Sequence, residues 1–106
     1  MEFQSIRERI IDILRKTKRP LGAEEIAMIL GLELSRKREI YEHLMHIAKT
    51  IRRQSDGKEV LMMELPRCKN CGFIFKGLEK PKEPSKCPKC KSERIEPPRF
   101  KIVLIT

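Results

Sequence analysis

The chain of 106 residues contains no tryptophan, one asparagine and two glutamines, and it lacks long apolar runs. A membrane-spanning helix needs about eighteen or more consecutive apolar residues, and no stretch of the sequence approaches that length. The first residues, Met1 to Glu8, contain no apolar region of the kind that directs secretion. We therefore expect a cytoplasmic protein with no membrane segment.

Motifs for catalysis are also missing. The chain has five glycines, and they form no glycine-rich phosphate loop. No candidate nucleophile stands beside a plausible general base in a recognisable pattern. The sequence therefore predicts a protein that is not an enzyme.

The four cysteines form two Cys-x-x-Cys pairs separated by fifteen residues. Such a turn points both sulfurs at one centre, and two turns supply the tetrahedron of thiolates that suits zinc or iron. Gly72 follows the first pair, where a glycine can take a positive φ and let N–H groups approach the sulfurs. Lys91 stands in the equivalent place after the second pair. The predicted metal ligands are Cys68, Cys71, Cys87 and Cys90.

The metal is predicted to be structural. Between Pro66 and Pro98 the side chains able to form a core are too few to offset the entropy of ordering that segment. Four thiolates also leave zinc without an open position for a reacting water. Two disulfides are the alternative, but they require an oxidising compartment, which the sequence does not indicate. We expect one structural Zn²⁺, with iron as the other candidate ion.

Positive charge is in excess, with a formal net charge of +9, and it is distributed unevenly. Residues 1–59 carry thirteen Lys/Arg against ten Asp/Glu, and residues 60–106 carry eleven against five. This excess favours a polyanionic partner, because cationic side chains gain affinity by displacing counterions from phosphates. Abundant charge with little Asn or Gln is also typical of hyperthermophile proteins, so the charge alone is modest support for nucleic-acid binding.

Capping signals predict the first two helices. Ser5 and Glu8 form a capping box at the start of the first helix, which should end before Pro20. The second helix should begin after Gly22 and end at Gly31. Its buriable side chains are Ile26, Ala27, Ile29 and Leu30.

A third helix is predicted from a Ser35 cap to about Arg53. Its apolar side consists of Ile40, Leu44, Ile47 and Ile51. The second and third helices, joined by a glycine-containing turn, form a helix-turn-helix pattern. With Ile40 facing the core, the opposite side is positioned to enter a DNA major groove, although a solvated charged face is the simpler interpretation. The predicted DNA-binding residues are Arg36, Lys37, Arg38, Glu42, Lys49 and Arg53.

His43 and His46 lie three residues apart on this third helix. Such a pair can bind a metal, but no third strong ligand lies nearby in the sequence. Ordinary histidines on a helix surface are therefore the favoured interpretation.

Two strands, at residues 60–65 and 99–105, are expected to pair antiparallel as a hairpin. Alternation in the second strand places Phe100, Ile102 and Leu104 inward. Val103 and Ile105 then lie on the other face, where they can meet the ribbon or a second subunit. A homodimer is therefore one of the possible assemblies. The thirty-three residues between the strands are too many for a hairpin loop. They must carry structure of their own, which the metal centre provides.

This arrangement resembles a family of archaeal predicted transcriptional regulators in which a winged helix-turn-helix carries a rubredoxin-like zinc ribbon within the wing. The resemblance rests on residues 23–53, on the four cysteines and on the segment Pro97–Phe100. It implies an α+β fold in which three helices and a β-hairpin form a winged helix-turn-helix over residues 1–65 and 99–106. A small zinc ribbon, residues 66–98, would be inserted between the wing strands. It also implies zinc at the four cysteines and contact of the third helix with double-stranded DNA.

Three functions follow from these features. The first is a DNA-binding transcriptional regulator in which the zinc ribbon extends the wing. The second is a protein-binding module of the transcription machinery, since a winged helix with a zinc ribbon also resembles archaeal general transcription factor E. The third is a redox protein, because rubredoxin holds iron with similar cysteine pairs.

Overall fold

The computed structural model describes residues 4–105, with three α-helices, a short strand between the first two, and four further strands after the third. The helices are α1 (Ile6–Lys16), α2 (Ala23–Leu30) and α3 (Lys37–Gln54). The strands are β1 (Leu21–Gly22), β2 (Glu59–Glu64), β3 (Arg67–Cys68), β4 (Ile95–Glu96) and β5 (Arg99–Leu104). The fold is therefore α+β. The predicted domain limits at residues 1 and 106 lie outside the described residues.

The predicted caps of α1 and α2 are confirmed. The Ser5 hydroxyl accepts from the Glu8 N–H and the Glu8 carboxylate accepts from the Ser5 N–H, both at 3.1 Å. At α2 the Glu25 carboxylate accepts from the N–H of Gly22 at 3.2 Å. Gly31 ends this helix with φ 73°, a left-handed conformation that glycine adopts at little cost.

Ser35 does not cap α3, so that prediction is wrong. Residues Leu34–Arg36 form a 3₁₀ turn that leads directly into the α-helix, with Arg36 at the N-cap position. The Ser35 hydroxyl donates to the Glu33 carboxylate at 3.3 Å instead of accepting from the helix. A 3₁₀ turn already satisfies the first backbone N–H groups, so no side-chain cap is needed there.

A three-stranded sheet has β5 at its centre, with β1 and β2 antiparallel on either side. The pairing of β2 with β5 confirms the predicted hairpin partners. β1 was not predicted as a strand, because two residues are too few to show an alternating pattern. Its register places Leu21 opposite Phe100, which ties the segment between α1 and α2 to the sheet.

The core lies between the three helices and the inner face of this sheet. The predicted apolar side of α3 is confirmed, since all four of its side chains, Ile40, Leu44, Ile47 and Ile51, are fully buried. Ile10 and Leu14 from α1, Ile26 from α2 and Phe100 from β5 complete the centre.

Two side chains predicted to be buried are exposed. Ile29 is 55% exposed, because the buried positions of α2 follow a stripe of Ala23, Ile26, Ala27 and Leu30 that excludes it. Leu104 is 72% exposed, although it alternates with the buried Phe100 and Ile102. It pairs with Glu59 at the end of the sheet, past the last strand residue in the core.

The segment 66–98, between β2 and β5, has a sheet of its own. Its sheet consists of β3 and β4, which pair antiparallel and place Cys68 opposite Ile95. Pro66 and Pro98, at the two entrances to this unit, are fully buried. Among residues 4–105, no helix is both long enough and apolar enough to cross a membrane.

Candidate metal centre and nucleic-acid interface

The first cysteine pair sits in a tight backbone turn. The N–H of Gly72 donates to the carbonyl of Cys68 at 2.9 Å, and the N–H of Cys68 donates to the carbonyl of Phe73 at 2.8 Å. Gly72 has φ 81°, as expected for the residue that lets the turn reverse. This turn directs the Cys68 and Cys71 sulfurs toward the second pair.

The second pair has the same turn, built without a glycine. The N–H of Lys91 donates to the carbonyl of Cys87 at 2.9 Å, and the N–H of Cys87 donates to the carbonyl of Ser92 at 2.8 Å. Lys91 takes φ 66°, a left-handed conformation that costs a residue with a Cβ on the order of 1 kcal/mol. The two turns are therefore equivalent, and the lysine carries backbone strain at the position where the first turn has its glycine.

The four sulfurs converge on one point. All the Sγ atoms lie within 4.8 Å of one another, with Cys68 and Cys90 at 3.5 Å and Cys71 and Cys87 at 3.6 Å. A zinc tetrahedron with Zn–S bonds of about 2.3 Å has S···S edges of about 3.8 Å, close to these values. A disulfide requires about 2.05 Å, so the sulfurs are not bonded in pairs. Within residues 4–105 this is the only cluster of three or more side chains placed to share a metal ion.

Hydrogen bonds to the sulfurs favour the thiolate form that a metal needs. The side-chain amide of Asn70 donates to the Cys90 sulfur at 3.4 Å, and with the Ser92 N–H it lowers the pKa of Cys90 to about 6. Burial disfavours the Cys87 thiolate, but N–H groups from Cys90 and Lys89 outweigh it and lower the pKa of Cys87. These donors form the second shell that tunes thiolate ligands in metal sites.

Cys71 shows why the cluster needs a cation. Its sulfur accepts from the N–H of Phe73, yet desolvation and the three neighbouring sulfurs raise the pKa of Cys71 to about 12. Four close sulfurs cannot all ionise together unless a positive ion offsets their repulsion. The donor set therefore fits a dication held by Cys68, Cys71, Cys87 and Cys90.

The predicted DNA-binding residues of α3 fall into two groups. Arg38, Glu42, Lys49 and Arg53 are exposed on the outer side of the helix, and none of them forms an ion pair with another described residue. Arg36 and Lys37 are instead held in ion pairs. Arg36 makes a two-pronged contact with Glu39 at 2.8 and 2.9 Å.

His43 belongs to the same network and is not placed as a metal ligand. Its Nδ1 accepts from Arg7 Nε at 3.2 Å, so its Nε2 carries the proton and donates to Glu39 at 3.2 Å. Arg36 and then His43 lower the pKa of Glu39. His46 is exposed and does not share this arrangement. Of the two histidines, His43 therefore links α1 to α3, and His46 takes no part in that link.

Comparisons with known proteins cover nearly the whole chain. The family described as "PF0610-like, N-terminal" matches residues 5–61, and the "PF0610 rubredoxin-like zinc beta-ribbon domain" matches residues 66–103. The solution NMR structure of protein PF0610 from Pyrococcus furiosus superposes with a TM-score of 0.75 at 36% identity, over 97% of this chain and 94% of that one. The chain belongs to the PF0610-like family. No curated protein matches the sequence.

Family membership and geometry agree on the metal. The PF0610-like ribbon is described as a zinc ribbon, and the four clustered cysteines fit a single structural zinc ion. When bound, zinc supplies the positive charge that the crowded thiolates need and closes residues 66–98 into one unit. Neither family description mentions DNA or transcription.

Sequence reasoning missed three residues around these sites. Asn70 lies inside the first cysteine pair, and this position is the one signal that could have identified it as a donor to sulfur. Glu83 pairs with Lys37 across 46 residues, and no local pattern predicts such a contact. Tyr41 is buried, its hydroxyl has no hydrogen-bond partner among the described residues, and burial raises its pKa far above the ordinary value.

Proposed function

We propose that this PF0610-like protein is a DNA-binding transcriptional regulator and not an enzyme. In this proposal α1 to α3 and the sheet form a winged helix-turn-helix, and the zinc ribbon is an enlarged wing. The central support is the outer face of α3, where Arg38, Lys49 and Arg53 are exposed and make no ion pair with other described residues. Unpaired cations on an exposed helix can bind phosphates and base edges without first losing a partner.

The ribbon adds cationic side chains to the same proposal. Residues 66–98 carry nine Lys/Arg against four Glu, and most of these cations are exposed. Bound zinc with four thiolates adds about two negative charges, so the ribbon remains net positive. In this interpretation α3 contacts bases while lysines such as Lys82 hold the backbone.

Selection of bound fragments from genomic DNA by the zinc-loaded protein tests this proposal directly. With a selected site in hand, Arg38→Ala should weaken specific binding more than binding to random duplex. Lys82→Ala should weaken both alike and reduce the salt slope by about one. Arg9→Ala is the control for loss of one positive charge. Arg7 faces α3, and Arg9, two residues further along the helix, lies on the side of α1 that faces away from α3. Equal losses from all three changes on every sequence would contradict base reading by α3.

A second candidate is a protein-binding module of the transcription machinery, and one surface favours it. Met28, Ile29 and Leu34 are 70%, 55% and 51% exposed and belong to α2 and the following 3₁₀ turn, two elements that contact each other. Residues 20–35 contain three Glu and no Lys or Arg, unlike the rest of this basic chain. Exposed apolar side chains in an acidic setting suit a protein surface better than DNA. Retention of polymerase subunits, lost in Met28→Ser but kept in Arg38→Ala, would favour this role over DNA reading.

The rubredoxin-like redox role has less support. Zinc does not change oxidation state, so a zinc-loaded ribbon has no electron to transfer. Metal analysis of the purified protein distinguishes the two ions, and colour does so at once. An iron-loaded protein would be red, and a zinc-loaded protein colourless.

A further inference from the structure

A groove runs between the outer face of α3 and a loop of the ribbon. The loop, residues 80–85, lies beside the N-terminal half of the helix. The groove is lined by Lys37, Arg38, Tyr41, Glu42 and Met45 from α3 and by Pro81, Lys82 and Glu83 from the loop. The ribbon therefore covers part of the helix that the proposed function assigns to DNA.

One ion pair fastens this loop to the helix. Lys37 Nζ lies 2.9 Å from Glu83 Oε2 and 3.5 Å from Glu24 Oε1. The Lys37 and Glu83 side chains are only 30% and 32% exposed, whereas Glu24 is 59% exposed. The hydrogen bond to Glu83 is the main reason that the pKa of Lys37 is raised. Glu83 is therefore the dominant partner of Lys37, and it belongs to the ribbon.

This arrangement removes Lys37 from any phosphate contact while it persists. One ammonium group between two carboxylates is already neutralised, so Lys37 attracts a phosphate less strongly than an unpaired lysine does. Arg38, Lys49 and Arg53 make no such pair with described residues, so the loop changes the availability of Lys37 in particular.

The contact is also imperfect in a way that suits reversible opening. Tyr41 lines the groove, and its buried hydroxyl has no hydrogen-bond partner among the described residues. A buried hydroxyl without a protein partner contributes less to stability than a hydrogen-bonded one. The closed groove therefore gains less than an interface in which every polar group is hydrogen-bonded.

We propose that the ribbon loop is a displaceable cover on α3, in which the Glu83 carboxylate occupies Lys37 until a DNA phosphate replaces it. The inference rests on the proposed DNA-binding function. A carboxylate and a phosphate bind an ammonium group in the same way, and a phosphodiester chain brings many charges at once, so exchange is favoured near DNA. Specific DNA binding thereby includes the opening of the wing.

The test compares Glu83→Gln with Glu24→Gln in the full zinc-loaded chain. Each change removes one carboxylate from the same ammonium group, so the general gain from added positive charge is matched. Only Glu83→Gln releases the ribbon loop. Affinity is measured at several salt concentrations for a duplex of about 30 base pairs, which is long enough to bind one domain. Lys37 exposure is measured without DNA, by mass spectrometry after brief amine acetylation.

Glu83→Gln should bind the duplex about threefold or more tightly than Glu24→Gln, in keeping with loss of a partly buried pair. It should also acetylate faster at Lys37. Equal or weaker duplex binding by Glu83→Gln would overturn the cover, whatever the acetylation result. If neither variant nor the natural chain binds duplex DNA at low salt, the proposed function itself fails. Faster acetylation in Glu83→Gln would then show that the loop contact exists without serving DNA.

Discussion

Lys91 is the residue at which the metal centre carries strain. Its φ of 66° is required by the second cysteine turn, because it reverses the chain so that the carbonyl of Ser92 can accept from the N–H of Cys87. Its ammonium group donates to the carbonyl of Pro88 at 3.4 Å, an exposed contact that returns little of the cost. The equivalent position in the first turn is Gly72, which adopts φ 81° without this penalty.

Lys91→Gly should therefore stabilise the zinc-loaded protein. Relief of the left-handed conformation is expected to contribute about 1 kcal/mol to the free energy of unfolding, less the entropy of a freer unfolded chain. Denaturant unfolding of the zinc-loaded protein measures this change. Lys89→Gly is the matched control, because Lys89 lies in the same turn without a positive φ and should lose stability. A loss from Lys91→Gly as large as that of the control would show that the turn bears no strain.

At this scale the sequence predicted the ligands but not their support. Cysteine spacing is enough to identify four thiolates around one ion, since the chemistry leaves few alternatives. The left-handed Lys91 could not be predicted, because lysine rarely adopts that conformation and only the turn geometry imposes it. Asn70 likewise depends on where a side chain points, and spacing does not reveal that.

At the scale of elements, β5 connects the three-stranded sheet to the helices. It pairs with both β1 and β2, and its Phe100 contacts Tyr41 of α3 edge to face at 6.2 Å between ring centres. Alternation gave the correct inner face for Phe100 and Ile102 but failed for Leu104. A period of two gives the side of a sheet, and it does not show how far the helices cover that side.

Two inward-facing positions of β5 should therefore respond differently to truncation. Ile102→Ala removes a side chain that is 4% exposed and should cost about 2 to 4 kcal/mol of stability. Leu104→Ala removes one that is 72% exposed and should cost about 0.5 kcal/mol or less. Thermal unfolding of the two variants beside the natural chain makes the comparison. Similar losses at both positions would mean that Leu104 has a partner, such as a second subunit.

Helix limits were predicted well where a local signal sets them. Capping boxes and a C-terminal glycine act within one turn, so Ser5, Gly22 and Gly31 could be assigned from the sequence. The predicted start of α3 was wrong, because a 3₁₀ turn and a serine cap have similar local sequences. The contact of Glu83 with Lys37 joins distant segments, and only the folded ribbon brings them together.

At the scale of the whole molecule, two units share one chain but not one core. The core cluster draws its members from the helices, β1, β2 and β5, and none of them belongs to residues 66–98. Within the ribbon, Phe73 and Phe75 pack edge to face with 5.1 Å between ring centres. The hydrogen-bonded cysteine turns supply the other ordered structure. A small unit with so little apolar burial depends on its metal for order.

Removal of zinc should therefore unfold the ribbon and leave the helical unit folded. A structural zinc contributes roughly 10 to 16 kcal/mol in small zinc-finger peptides, which is more than residues 66–98 can recover from their own packing. After chelation, amide hydrogens of the ribbon should exchange rapidly, while those of α1, α3 and the β2–β5 pair keep most of their protection. Hydrogen exchange with mass spectrometry resolves the two regions in one sample, and restored zinc should restore protection.

Two other outcomes of this experiment would carry different meanings. If the whole chain lost protection together, β2 and β5 would depend on the ribbon that connects them, and the core of α1 to α3 would be too weak to stand without the hairpin closed. If the ribbon stayed protected after complete removal of the metal, the four thiolates would not be its source of order. In that case the packing of the buried Pro66 and Pro98 and the ion pair of Glu83 with Lys37 would have to hold it, and the proposed cover on α3 would be a fixed interface.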